Sequence, residues 1–321
     1  MKNRNKIIVY GMLLFLTTAF TSCDNNGIDD LDFDVSLQNP ETTVKVGQPV
    51  TFTFSGDPDY LIFYSGEYGK KYANRNRTKA DVESLILKYN LELKYARINY
   101  RNGLKVLISD DFNGIYDEEN IKQATWSDMD GQLKVPVIES TYEGYQHGEV
   151  RNIVVDMNNY KDKKFYLALR YEMSPLTENE LANNQVHPDA YFYPKLQQSV
   201  DGKTIEKTSP KNDFGFGFVK IKYNGNSSDN PTQTVVDDQR VSINGRKGKD
   251  GTYIWAVSQP IDASKVNADE GLSIKSLSYS LPSYTHIYNE PGEYTVTFVA
   301  RNANAWNCTE QIKELKVTVV E

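Results

Sequence analysis

Apolar and polar residues alternate with a period of two along most of this chain, and that alternation predicts strands. Val50, Phe52 and Phe54 alternate with Thr51, Thr53 and Ser55, the pattern of a strand with one face in a core. Turn chemistry brackets it, with Lys45-Val46-Gly47-Gln48-Pro49 before and Gly56-Asp57-Pro58-Asp59 after. A further strand is expected from Tyr60 to Tyr64. Near the other end Tyr294, Val296 and Phe298 alternate with Thr295 and Thr297 behind the turn Glu290-Pro291-Gly292-Glu293, and Leu315, Val317 and Val319 alternate with Lys316 and Thr318.

The middle of the chain opens on Ala80 to Ile86, which reads as a weak helix start. From Leu91 the strand pattern returns in LELKYARINY, LKVLISDDF, NIVVDM, KKFYLALRYEM, FGFGFVKIKY and TYIWAVS. Polar stretches such as VDGKTIEKTSPKND and YNGNSSDNPTQ lie between them, and their Gly, Pro, Ser, Asn and Asp content predicts loops. Many strands joined by such loops imply an all-β sandwich or jelly roll. No strand and helix alternation of the doubly wound kind occurs, and no glycine-rich phosphate loop or nucleophile elbow stands at a strand-helix junction.

The N-terminus departs from this pattern. Lys2, Arg4 and Lys6 precede an apolar run from Ile7 to Phe20, so residues 1 to 22 read as a secretory signal peptide. The run is shorter than the roughly 20 residues of a membrane-spanning helix. Phe20-Thr21-Ser22-Cys23 resembles a lipobox, with Phe20 where Leu is usual, and the resemblance implies lipid attachment at Cys23. Residues 23 to 31 then form an acidic tether. Acid directly behind the cysteine is similar to the surface-export signal of Bacteroidota lipoproteins, which implies an outer-membrane, lipid-anchored protein facing the cell exterior; a plain spacer is the alternative.

Charge narrows the partners. Without Lys2, Arg4 and Lys6 the 36 Lys and Arg fall to 33 against 43 acids, a net of about −10, and nucleic acid is not expected on such a surface. With Cys23 lipidated, Cys308 is the one remaining thiol, so packing rather than an intrachain disulfide must hold the fold. His147, His187 and His286 are widely spaced, suggest neither a zinc cluster nor a Cys/His pair, and read as turn or surface residues. Tyrosine is the surplus at 22 residues, suited both to half-buried strands and to ligand surfaces.

Two resemblances extend the reading. YNEPGEYTVTFVARN, Tyr288 to Asn302, is similar to the closing strands of polycystic-kidney-disease (PKD) repeats, which are Ig-like sandwiches. The matching V-G-x-x-V-x-F opening sits at Val46 to Phe52, far upstream, and Phe63-Tyr64-Ser65-Gly66-Glu67 replaces the usual W-D-F-G-D-G turn. A discontinuous sandwich of residues 32–75 plus 276–321, with a jelly-roll-like domain at 76–275 inserted, is therefore expected; two separate small β units are the alternative. In the middle, LKVLISDDFNGIYDEENIKQATWSDM, FYLALRYE and TYIWAVSQPIDASKVNADEGLSIKSL resemble blocks of jelly-roll modules in Bacteroidota surface lipoproteins and choice-of-anchor proteins. With YLIFYSGE, they resemble a domain-of-unknown-function lipoprotein family of glycan-utilisation (Sus-like) loci. That resemblance implies non-covalent polysaccharide or oligosaccharide binding beside other outer-membrane uptake proteins.

Candidate contacts follow from this implication. Trp126 and Trp255 could stack on sugars, although each sits in a recurring block of the fold and reads more readily as core. Trp306, in RNANAWNCTE, lacks strand periodicity around it and is expected to be exposed. Tyr142 and Tyr145 in ESTYEGYQHGE, and Tyr191 and Tyr193 in HPDAYFYP, read as loop tyrosines, with Glu143, His147 and Asp189 as polar neighbours. Asp110, Asp111, Asn113, Asp117 and Glu118 form the densest oxygen cluster; it reads as a solvated loop, with a structural Ca2+ site as the alternative and no EF-hand spacing. No other cofactor is expected. Among 43 acids no catalytic pair can be singled out, so a binding protein is preferred to a glycoside hydrolase or lyase. A structural or assembly subunit that binds other surface proteins is the rival.

Overall fold

The computed structural model describes residues 30–39, 43–101, 103–139, 144–222, 233–247 and 251–321. The signal peptide, Cys23, most of the tether and Tyr142 lie outside these. The chain is all-β, 50% strand against 7% helix. In chain order the strands are β1 (Asp34–Leu37), β2 (Thr43–Lys45), β3 (Pro49–Ser55), β4 (Tyr60–Tyr64), β5 (Ser84–Ala96), β6 (Leu104–Ser109), β7 (Gln146–Asp156), β8 (Lys164–Met173), β9 (Asp189–Val200), β10 (Lys203–Lys207), β11 (Gly217–Lys222), β12 (Thr234–Val236), β13 (Val241–Ile243), β14 (Thr252–Val257), β15 (Ile261–Asp262), β16 (Leu272–Lys275), β17 (Ser283–Ile287), β18 (Gly292–Ala303) and β19 (Cys308–Val320). Two short helices, α1 (Glu118–Gln123) and α2 (Glu178–Ala182), complete the list. No helix among the described residues is long and apolar enough to cross a membrane.

Two compact units divide the chain. One runs to Tyr72 and resumes at Glu270–Glu321; the other is Ala73–Asp269. In the first, a three-stranded sheet β1-β3-β17 faces a five-stranded sheet β16-β4-β18-β19-β2. Phe52 of one sheet meets Phe298 of the other with ring centres 5.1 Å apart, and Phe63 lies 5.2 Å from Phe298. The alternation seen in the sequence supplies these inward residues, because successive strand residues point to opposite faces. β16 pairs with β4 in this sandwich, so Leu272–Lys275 belongs here and not to the 76–275 segment that the sequence pattern suggests.

The second unit is also a two-sheet sandwich. One sheet has the order β12-β13-β9-β5-β7, with β10 added to β9; the other has β11-β14-β8-β15, with β6 added to β8. Their inner faces share a core that includes Leu87, Leu91, Phe192, Leu167, Tyr171 and Ile254. The second sheet is covered on its far side too, where Phe112, Ile121 and Trp126 pack onto Tyr166, Val219 and Trp255. Burial on both faces explains why KFYLALRYEM and TYIWAV read as nearly unbroken apolar runs.

The first sheet differs. Leu85, Leu87, Tyr89, Leu91 and Leu93 of β5 are buried, and the residues between them turn outward. The helix start expected at Ala80 to Ile86 is absent for this reason: from Ser84 the period-two burial of a 13-residue strand outweighs a weak helical propensity. β9 and β10 occupy stretches expected to be loops, and β9 lies between β5 and β13. His187 is buried rather than superficial; one ring nitrogen, Nε2, hydrogen bonds to the Ser174 carbonyl at 2.8 Å, and burial lowers its pKa.

Candidate functional site

The outward face of sheet β12-β13-β9-β5-β7 carries a cluster of rings and paired charges. Strand register sets one row across it: Val235 opposite Ser242, Ser242 opposite Tyr191, Tyr191 opposite Glu92, and Glu92 opposite Glu149. Tyr193, two residues along β9, joins the same face and lies opposite Asn90. Tyr191 and Tyr193 are thus strand residues, and a strand is a more rigid platform than a loop.

Paired charges fix this surface. Glu92 is 6% exposed and is held by Lys94 at 2.6 Å, by Arg151 at 2.9 Å and by the Tyr193 hydroxyl, which donates to it at 3.4 Å. Arg240 donates to that same hydroxyl at 3.3 Å and covers the Tyr191 ring at 4.7 Å from its centre. The bond to Tyr193 raises the Arg240 pKa, and the bond to Glu92 raises that of Lys94, so both stay cationic. Burial, then the nearby Asp189 charge, pushes the Tyr191 phenol up. Arg240 itself is aimed by the β12–β13 turn, where the Asp237 carboxylate accepts from the backbone N–H groups of Gln239 and Arg240, each at 2.8 Å.

A second part of the face is built around Tyr95. Register shifts between Leu93 and Ala96, and Tyr95 takes φ +65°, a backbone state that bulky side chains seldom adopt. Its ring stands outward, 39% exposed. Arg246 lies 5.2 Å from its centre, His147 5.5 Å and Tyr145 6.0 Å. Arg246 also pairs with the buried Asp189 at 3.0 Å, and Asp189 accepts the Gly245 N–H at 3.0 Å. Only glycine fits at 245, since a Cβ there would run into the Pro188 carbonyl oxygen and the Tyr171 hydroxyl.

Two of the cavities on the described residues of this unit border these side chains. The smaller, about 230 Å3, is walled by Tyr191, Arg240, Asp189 and Arg246 among others. The larger, about 710 Å3, is lined by Arg97, Thr177, Asn179, Glu180, Asn183 and Gln185. Arg97 also lies over Tyr145, 5.7 Å from its ring centre.

The structure therefore brings together Tyr145, Tyr191 and Tyr193, with His147 and Asp189 near them. Trp126 and Trp255 lie elsewhere. Their rings are 5.2 Å apart in the covering layer of the opposite sheet, and the Trp126 indole N–H donates to the Ile121 carbonyl at 2.9 Å. Both are packing residues. Trp306 is 73% exposed, at the β18–β19 turn of the other unit. Tyr95, Glu92, Arg97, Arg240 and Arg246 were not foreseen; the one signal for them is their adjacency to tyrosines across strands, and that requires knowing the register.

The acidic loop is engaged by its own surroundings. Asp111 accepts the Ser109 hydroxyl at 2.7 Å and the Thr125 N–H at 2.8 Å. Asp117 caps α1 through the Asn120 N–H at 2.8 Å, and Asn113 accepts the Ile115 N–H at 2.9 Å. Asp110 pairs with Lys163 at 3.0 Å, and Glu118 with Lys122. Among the described residues no group of three His, Cys, Asp or Glu is placed to hold a metal ion.

Comparison with known proteins gives two matches. The family model described as Domain of unknown function (DUF5017) matches residues 22–208, more than half of the chain, and a PKD domain model matches residues 229–311. The first match contains Glu92, Tyr95, Arg97, Tyr191 and Tyr193. The second begins within the larger unit and ends in β19, so it crosses the division at Asp269 and Glu270. No curated protein matches the chain.

Proposed function

This chain belongs to the DUF5017 family and carries a PKD domain, and from that premise and the tyrosine face of its larger unit we propose that it binds polysaccharide without cleaving it. The observation that carries the reading is the row Tyr193, Tyr191 and Tyr95, held on paired strands with Arg240, Lys94 and Arg246 against the rings. Sugars present apolar C–H faces and hydroxyl edges. A flat ring beside fixed donors and acceptors complements both.

Binding rather than turnover is favoured by how the acids are used. Glu92 and Asp189 are buried and each is paired with a cation, which suits them to holding the surface rather than to exchanging protons with a substrate. The lipobox-like Cys23 and the acidic stretch after it support a lipoprotein on the outside of a Bacteroidota outer membrane, working beside the uptake proteins of a Sus-like system.

The test is retardation of the soluble body, residues 24–321, in native gels cast with plant, host and microbial polysaccharides, with reducing ends assayed in parallel. Retardation by one glycan class, lost in Tyr191→Ala and without new reducing ends, is the expected result. Retardation by none would transfer the reading to an assembly subunit, and new reducing ends would transfer it to an enzyme.

A further inference from the structure

A continuous path of rings and cations joins the cavity beside Arg246 to the cavity beside Arg97 in the larger unit. Arg246, in the wall of the smaller cavity, lies over Tyr95. Tyr95 meets Tyr145 edge to face, and Tyr145 lies under Arg97, which lines the larger cavity. Tyr145 is 53% exposed and Tyr95 39%, so both rings remain open along the way.

The cations on this path are not equivalent. Lys94 pairs with Glu92, Arg151 with Glu92 and with Glu149 at 2.7 Å, Arg246 with Asp189, and Arg240 has Asp237 at 3.9 Å. Arg97 has no carboxylate within ion-pair distance among the described residues. Glu180 lines the same cavity but is occupied in capping α2, where it accepts the Thr177 N–H at 2.7 Å and the Thr177 hydroxyl at 2.8 Å.

Arg97 is half-buried as a residue and stands without a paired acid among the described residues, while acids outnumber cations in this chain by 43 to 36. A missing partner at this one place is what a ligand supplying the negative charge requires. Arg is also the residue whose planar fork matches a carboxylate or sulfate with two parallel bonds.

We propose that the glycan is acidic, with the carboxylate or sulfate of one sugar residue seated on Arg97. The rings of Tyr145 and Tyr95 carry the chain from there toward Arg246 and Tyr191. This inference rests on the glycan-binding reading, and it makes the recognised unit an internal stretch of several sugars spanning both cavities.

The experiment measures affinity of residues 24–321 for polygalacturonate and hyaluronan, which offer carboxylate alone, for carrageenan, which offers sulfate alone, and for carboxyl-reduced polygalacturonate and dextran, which offer no charge. Wild type, Arg97→Gln, Arg97→Lys and Tyr145→Ala are compared at two salt concentrations, with the thermal midpoint checking that each variant is folded. Expected is binding to a carboxylated or a sulfated glycan that weakens with salt, falls about tenfold or more in Arg97→Gln and is partly restored in Arg97→Lys. Equal binding of charged and neutral glycans, or an Arg97→Gln variant that binds as wild type, would overturn the acidic assignment and leave sugar binding in place. Binding to no glycan would remove the underlying reading instead.

Discussion

The guanidinium of Arg240 lies 4.7 Å from the centre of the Tyr191 ring. One residue comes from the turn after β12 and the other from the middle of the sheet, so the contact ties two parts of the wall of the smaller cavity together. A cation over an aromatic face is worth about 0.5–1 kcal/mol at an exposed site, enough to hold the ring in place. The first prediction follows. Tyr191→Ala lowers glycan affinity by roughly tenfold, the cost of truncating a central contact ring, whereas Arg240→Ala loses less. Isothermal titration with the glycan found on gels measures both.

Trp255 is expected to act through stability alone. It is 9% exposed and packs against Trp126, so Trp255→Ala should cost about 3–5 kcal/mol, as large-to-alanine changes in cores do. Urea unfolding gives the loss, and titration of the remaining folded protein should return the wild-type affinity. A specific loss of affinity with unchanged stability would contradict the packing role.

Gly245→Ala tests how the site is supported. An added methyl collides with the Pro188 carbonyl, and the backbone must move to relieve it. The Gly245 N–H then leaves Asp189, and Arg246 loses its buried partner. Reduced stability together with weaker binding is expected, read by thermal unfolding and by titration.

Acid should destabilise the larger unit partly through His187. Burial lowers its pKa below the ordinary histidine value, so the unfolded chain binds the proton more readily than the folded one. The contribution is fully present above about pH 6.5, the unfolded value, and is lost as pH falls toward the depressed folded value. His187→Gln replaces a donor toward the Ser174 carbonyl with one that does not titrate. Between pH 7 and pH 5 its unfolding midpoint should fall less than that of the wild type, and parallel curves would show that other groups carry the acid sensitivity.

Cys23 and Cys308 should separate cleanly in the cell. On the proposed lipid attachment, Cys23→Ala is expected to abolish detergent-phase partitioning of the full chain, since acyl chains on that residue would be the anchor. Cys308→Ser leaves partitioning unchanged, since Cys308 is an exposed free thiol at the start of β19. Metabolic labelling with a fatty acid reads both.

The amino-acid sequence by itself determined the all-β class and most strands. Val50, Phe52 and Phe54, or Tyr294, Val296 and Phe298, alternate because one sheet face must leave water, and that requirement is local enough to be written in consecutive residues. Lys164–Met173 and Thr252–Val257 were legible as strands, whereas the burial of their sheet on both faces came from the tertiary structure. Tertiary structure alone decided the site. Tyr191 and Tyr193 read as loop residues because Pro188 and Pro194 flank them; in the sheet they stand on β9, opposite Glu92 and Asn90. Arg240, Arg246, Tyr95 and Arg97 meet these rings only through register and turns. Which side chains become neighbours across strands depends on pairings between segments far apart in the chain, and a period of two along one strand carries no information about what lies beside it.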